Sequence, residues 1–406
     1  MPVSGIFLTI EYLTMTVGSV GKSRAKSPFI AHQIILKVAS RCNLLCDYCH
    51  WFRDPEVYNL PKLMSDEVVT AFLQRLRTYI TQGNESDLSL VFHGGEPILW
   101  PQEKYRCFTK SIREIEREVG KPIRLAMQTN GALIDQSWAR LLHELRITVS
   151  VSIDGPKRIH DAHRVDLNGR GTHEKVVQGI KNLRDAGFDP HVLTVCNPET
   201  PPEELCDFFV NELKVSTFDV LTPNFTVDDG KNGKVTSIAN YYIRLFDLWY
   251  DMYSKRGVNI RILRALVKSA LGAHSGMQGI GQNATLATVE ILPDGSIEPH
   301  DVLRIGGNHL VRTKCNVFSN DLTDVMSEPT WLSAFDAANN PSAECLSCNY
   351  LYACGGGDVM HRYSTQNGYD NPSVYCSDMK RIIEHVWSRI SVDLMEDEPR
   401  ERKELA

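Results

Sequence analysis

Short apolar runs alternate along this chain with longer amphipathic stretches. Ile34-Ile35-Leu36 continues past one charged residue, Lys37, into Val38-Ala39 and reads as a buried strand over 34–39. Downstream, Val68, Val69, Phe72, Leu73 and Leu76 recur on one helical face, with Ser65 placed as N-cap. The alternation then repeats. Strands are expected at 88–92, 123–128, 147–153, 191–196 and 217–221. Helices are expected at 102–119, from Asp135, at 172–186 with Gly187 as the stop, at 201–213 and at 238–253. Six such units in series imply a parallel sheet with crossover helices. Six is short of a closed barrel of eight. The expected fold is therefore α/β, a partial (βα)6 TIM-like barrel with its chemistry on loops at the strand C-terminal ends.

The rest of the chain reads differently. Residues 228–233, rich in Asp and Gly, are expected to be a polar loop. A helix at 261–271 leads to a Gly-rich link at 276–281, where a second unit is expected to begin. Residues 285–292, Pro293-Asp294-Gly295 and 296–300 read as a hairpin. The last helix is expected at 378–394. The division is thus 1–30, a poorly defined N-terminal extension; 31–275, the α/β core; 276–394, a C-terminal domain; and 395–406, a disordered tail. Within the extension, 18–26 reads as a flexible link.

Composition narrows the class. Hydrophobic residues at 42% and charged residues at 23% are those of a globular protein. A net charge of −6 gives no reason to expect nucleic acid, and no apolar run is long enough to span a bilayer. The apolar patch at 6–10 lacks a preceding basic stretch and is not read as a signal peptide. Eleven cysteines, an odd number, argue against a disulfide framework; their clustering favours metal and a cytoplasmic protein.

The candidate chemistry falls at the strand ends. After the first strand come Cys42, Cys46 and Cys49, spaced Cys-x3-Cys-x2-Cys. Three thiolates on one loop can hold three irons of a cubane cluster and leave the fourth open to a small molecule. A zinc fragment or unrelated buried thiols are the plainer readings. After the second strand comes His93-Gly94-Gly95-Glu96-Pro97, whose glycines permit close backbone approach or simply a turn. Gln128 and Asn130 follow the third strand; Ser152 and Asp154 follow the fourth. Such polar residues suit sugar hydroxyls and carboxylates, or else helix N-caps. Arg164 could grip a carboxylate or lie on a solvated face. Cys107, Cys196 and Cys206 read as core thiols. Near the C-terminus Cys345, Cys348, Cys354 and Cys376 form a closed set of four, for which zinc and an iron–sulfur cluster are equally open on spacing alone.

In this order the motifs resemble the radical S-adenosylmethionine (SAM) superfamily. The resemblance implies that the open iron binds SAM and that one electron cleaves it to a 5′-deoxyadenosyl radical. It implies SAM contacts at Gly94, Gly95, Glu96, Gln128, Asn130, Ser152, Asp154 and Arg164. The C-terminal cysteines resemble the SPASM extension and imply an auxiliary [4Fe-4S] cluster. Its further cluster is not expected, because His300 and Asp358 stand where that pattern carries cysteines; Cys315 is expected to be structural.

Lys37 to Leu44, the His93–Pro97 motif, His163-Arg164-Val165-Asp166 with Gly169-Arg170-Gly171, and the segment from Cys354 through His361-Arg362-Tyr363-Ser364 to Cys376 resemble the cyclophane-forming (triceptide) subgroup. That implies a carbon–carbon crosslink between an aromatic ring and a side-chain Cβ of a ribosomally made precursor peptide. The auxiliary cluster would accept an electron, Asp301 would serve as base, and a flavodoxin- or ferredoxin-type protein would supply electrons. Thioether formation, peptide oxidation and sulfatase activation are the nearer alternatives. A non-catalytic iron–sulfur or zinc scaffold is the distant one.

Overall fold

The computed structural model describes residues 32–83, 88–281 and 288–396. The N-terminal link, the tail beyond residue 396 and the start of the 285–292 strand lie outside the described residues.

All six expected strands form, within a residue or two of their expected ends: β1 (Gln33–Ala39), β3 (Leu88–Gly94), β4 (Ile123–Thr129), β5 (Ile147–Ser152), β7 (His191–Val195) and β8 (Thr217–Leu221). They pair in parallel in that order, with Ile34 opposite Leu90 and Leu36 opposite Phe92. β1 is buried along almost its whole length, as a strand covered on both faces must be. The helices Asp66–Gln82, Gln102–Val119, Gln136–Glu144 and His173–Asp185 form as expected. Ser65 caps the first, accepting from Val68 N at 3.4 Å.

The sheet is larger than six strands. β9 (Asn259–Ile260) adds in parallel to β8. The expected hairpin is present as β10 (Thr288–Ile291) and β11 (Ile297–Pro299), but it is not a free ribbon: β10 pairs in parallel with β1. Among the described residues the nine strands of this sheet run β11-β10-β1-β3-β4-β5-β7-β8-β9, and β9 and β11 do not pair, so the sheet stays open.

Three elements differ from the sequence reading. The cysteine loop, read as irregular, pairs with the Arg164 segment, which was given no element, as a short antiparallel ribbon, β2 (Leu44–Cys46) with β6 (Arg164–Asp166). Three-residue strands carry too little periodicity to be seen locally. Residues 228–233, read as a loop, overlap the short helix Val227–Lys231. A capping box starts it: Thr226 and Asp229 satisfy each other's backbone N–H groups. Cys107 is exposed, not core, because Gln102–Val119 buries the face of Tyr105, Phe108, Ile112 and Ile115. Cys196 and Cys206 are buried as expected.

Most of the apolar core lies between this sheet and its helices, and a smaller cluster around Leu303, Val311, Met360 and Tyr369 underlies the C-terminal region. Among the described residues no helix is long and apolar enough to cross a membrane.

Candidate active site

The cysteine loop is positioned from below by backbone. Gly94 has φ +150°, and a Cβ there would stand 2.1 Å from the Ala39 carbonyl oxygen; one on Gly95 would stand 2.3 Å from that of Arg41. The close approach lets Gly95 N and Glu96 N donate to those oxygens at 2.8 and 2.9 Å. The Gly-Gly pair thus clamps the end of β3 to the start of the loop carrying Cys42. Gly94→Ala should cost at least about 2 kcal/mol through backbone strain, plus the clash, and lower metal loading; urea unfolding and iron analysis would show both.

Glu96 is buried beneath the clamp. Its carboxylate accepts from Ile98 N at 3.0 Å, Thr129 Oγ1 at 2.7 Å and Asn130 N at 2.9 Å. Burial pushes its pKa up to about 7 against the pull of these donors. It ties the β3 loop to the end of β4. Asn130 then reaches the loop itself, donating to Asn43 Oδ1 at 2.9 Å and to Cys42 Sγ at 3.6 Å. Leu44 N also donates to Cys42 Sγ, at 3.4 Å. At the neighbouring strand ends Gln128 Nε2 donates to Ser152 Oγ at 2.8 Å.

Arg164 is buried, so the solvated-face reading fails. Its Nε donates to Asp154 Oδ2 at 2.9 Å and its Nη1 lies 3.8 Å from Cys46 Sγ. Tyr48 OH also donates to Asp154, and Val195 N does so at 3.3 Å. Burial alone would raise the Asp154 carboxyl, but Arg164 and Tyr48 hold it below the usual carboxylate value. His163 Nδ1 meets Asp47 at 2.9 Å, pinning the same end of the ribbon, next to the Cys46–Arg164 pair.

A second network was not legible as a site. Lys37, the charge inside the first apolar strand, is fully buried. It pairs with Asp301, lies 3.6 Å from Glu290 Oε2 and sits over the Trp51 ring at 4.7 Å. Asp301 also meets His50 Nε2 at 3.0 Å, and its N–H donates to Glu290 Oε1 at 2.7 Å. Burial would raise the Asp301 carboxyl, but Lys37, then His50, holds it well below the ordinary range. Burial and Asp301 push Glu290 well above it. Burial holds His93, 3.4 Å from Lys37 Nζ, down to about 3, so it stays neutral. Glu290, His300 and Asp301 bring their ligand atoms within 4.8 Å of one another, but the positive charge among them is already the Lys37 ammonium. The available signal was a charge in each of two apolar strands, since a buried charge needs a partner.

Cys345, Cys348, Cys354 and Cys376 line one cavity, with Lys380 at its edge. Gly355, Gly356 and Gly357 all have positive φ and carry the chain closely around it; a Cβ on Gly357 would stand 2.9 Å from Ser373 Cβ. Arg362, buried, donates to the carbonyls of Ala337 at 2.7 Å, Tyr369 at 3.1 Å and Asn371 at 3.2 Å. It fixes the turn between Cys354 and Cys376. Cys315 lies elsewhere, buried and 3.9 Å from Glu328.

Both cysteine sets fit iron. At the first, neutral N–H donors meet Cys42 and a guanidinium meets Cys46, the contacts that stabilise ligating thiolates. As free thiols, Cys42 is pushed up to about 12 and Cys46 to about 11, chiefly by burial; iron would supply the charge that keeps them deprotonated. At the second, four thiols share a cavity and burial pushes Cys354 up to about 11.

The Radical SAM superfamily pattern matches residues 36–209. The molecule has the radical SAM α/β fold, a mostly parallel sheet with helices, and that superfamily works with a [4Fe-4S] cluster and SAM. The chain is similar to the cysteine-type anaerobic sulfatase-maturating enzyme of Clostridium perfringens (strain 13 / Type A), 28% identical over 376 residues, 88% of this chain and 96% of that one. The solved structure of native anSMEcpe with bound AdoMet and Cp18Cys peptide superposes with a TM-score of 0.76 at 25% identity, covering 89% of this chain and 98% of that one. Streptococcus suis SuiB bound to precursor peptide SuiA shares the fold, with a TM-score of 0.58 at 17% identity, over 91% of this chain and 87% of that one.

Proposed function

We propose that this chain is a radical SAM enzyme that modifies a peptide, joining an aromatic ring to a side-chain Cβ of a ribosomally made precursor by a carbon–carbon bond. Similarity to the sulfatase-maturating enzymes supports the peptide or protein substrate. We assign Cys42, Cys46 and Cys49 to the SAM-binding cluster and Cys345, Cys348, Cys354 and Cys376 to one auxiliary cluster. When bound, the first cluster supplies one-electron cleavage of SAM and so the power to take hydrogen from carbon. We assign Gly94, Gly95, Glu96, Gln128, Asn130, Ser152, Asp154 and Arg164 to the SAM site, the glycines and Glu96 by shaping its floor. An external flavodoxin- or ferredoxin-type donor and a cytoplasmic setting belong to the same reading.

The observation that carries the crosslink is the state of Asp301. Its carboxylate is ionised throughout the neutral range, 4% exposed, and reaches the cysteine loop through His50, whose side chain is 27% exposed. A base held so low is a poor acceptor for a thiol or alcohol proton, where a pKa near the working pH serves best. A ring that has just formed a bond with a carbon radical regains aromaticity by losing one electron, which the auxiliary cluster would accept, and one proton, for which a weak base suffices. Asp301→Asn should keep SAM cleavage and lower the crosslinked product roughly 100-fold or more; full crosslinking with intact clusters would remove Asp301 from the reaction.

The second reading is formylglycine formation, favoured by the 28% identity to a sulfatase-maturating enzyme. Co-expression with a precursor peptide free of cysteine, followed by tandem mass spectrometry, separates the two. The crosslink leaves a product short of hydrogen that resists cleavage between the joined residues and does not react with hydrazine. Formylglycine is an aldehyde and reacts.

A further inference from the structure

We infer that the buried Asp154–Arg164 ion pair sets the reduction potential of the metal centre on the Cys42–Cys49 loop, through the contact of Arg164 with Cys46. The inference rests on the assignment of that centre to Cys42, Cys46 and Cys49. Cys46 and Arg164 are direct partners across the β2–β6 ribbon, so the guanidinium is placed by backbone pairing. Its Nη1 lies 3.8 Å from Cys46 Sγ, while its Nε is held by Asp154 at 2.9 Å. Its plane lies over the Tyr48 ring at 5.3 Å, and Tyr48 in turn donates to Asp154. Behind the pair, Thr172 Oγ1 donates to the Arg164 carbonyl at 2.8 Å, and Asp154 N donates to His160 Nδ1 at 3.3 Å. The side chains of Arg164 and Asp154 are 9% and 4% exposed. The hydrogen-bond donors at Cys42 are neutral; Cys46 meets a formal positive charge.

Reduction adds negative charge to an iron–sulfur centre. A cation fixed against a ligating sulfur in a poorly screened site favours the reduced form and raises the potential. Asp154, on the far side of the guanidinium, tempers that effect and keeps the cation in place. A plain structural staple would make no distinction between removing the positive and the negative partner. A potential-setting pair does: removing Arg164 lowers the potential and neutralising Asp154 raises it.

The test is a potentiometric titration followed by electron paramagnetic resonance on the full, iron-loaded chain. The signal lost in Cys46→Ala and kept in Cys354→Ala belongs to the Cys42–Cys49 loop. If the parent shows no such signal, the assignment of the centre fails, whatever the ion pair does. Given the signal, Arg164→Gln should shift its midpoint to more negative values and Asp154→Asn to more positive ones, with the other centre unmoved. Either variant decides alone if only one loads iron. Unchanged midpoints, or shifts in the same direction, overturn the proposal. So does failure of both variants to load iron while their circular dichroism matches the unloaded parent, because the pair would then serve assembly.

Discussion

Cys46→Ala should lose about four of about eight irons per chain and all SAM cleavage, whereas Cys354→Ala should lose a similar number and still cleave SAM. The two cysteine sets sit on different parts of the chain. The first lies on the loop leaving β1, clamped by Gly94 and Gly95 and supplied with N–H donors by Leu44, Asn130 and Arg164. The second lines a cavity built by the 345–376 segment, which Arg362 ties together. On the proposed assignment, losing one of three ligands leaves a cluster with no fourth cysteine in that loop to replace it, while the other site keeps its own four thiols. Iron and sulfide analysis beside a SAM-cleavage assay on each anaerobically loaded variant reads both effects. Equal loss of cleavage in the two variants would mean that the second set is needed for the first step.

The second large effect is on stability. Lys37→Met should destabilise the metal-free protein by about 3–5 kcal/mol at neutral pH, because it leaves Asp301 buried without its principal countercharge. His50 remains beside the carboxylate but is partly exposed, and Glu290 adds a second acid to the same pocket. Adding Asp301→Asn to Lys37→Met should recover part of the loss, since the buried charge disappears with its partner. Asp301 is depressed in the fold, so its contribution is fully present above the ordinary aspartate value of about 4 and is lost as the pH falls through its lower folded value. In Lys37→Met burial is no longer opposed by Lys37, so its Asp301 takes up a proton at higher pH than in the parent, and the gap should narrow as the pH falls, beginning above the ordinary aspartate value and continuing below it. Urea unfolding of the reduced, metal-free proteins over that range measures it. A gap that did not change with acid would assign Lys37 a packing role against Trp51 instead.

The same residues explain what the sequence could disclose. The six core strands were legible because each is an apolar run bounded by turn residues and followed by an amphipathic helix. The strand-end motifs were legible because that topology brings successive loops to one edge. What escaped depends on contacts between distant segments. The β2–β6 ribbon exists only because residues 44–46 meet residues 164–166. The parallel pairing of β10 with β1 spans more than 250 positions, and a Pro-Asp-Gly turn advertises only the local hairpin. The Lys37–Asp301–Glu290 network was visible in part, as a lysine and a glutamate inside apolar runs, but nothing local says that they face each other. Cys107 lies off the helix face set by Tyr105, Phe108 and Ile112, so an apolar residue type inside a helical pattern did not place it in the core.

The most direct test of a radical SAM enzyme is release of 5′-deoxyadenosine from SAM by the anaerobically loaded chain under a strong one-electron reductant, followed by chromatography. Release that depends on Cys42, Cys46 and Cys49 is the expected result. A protein that holds its full iron content, or zinc in its place, and releases none would contradict the assignment of the site to SAM.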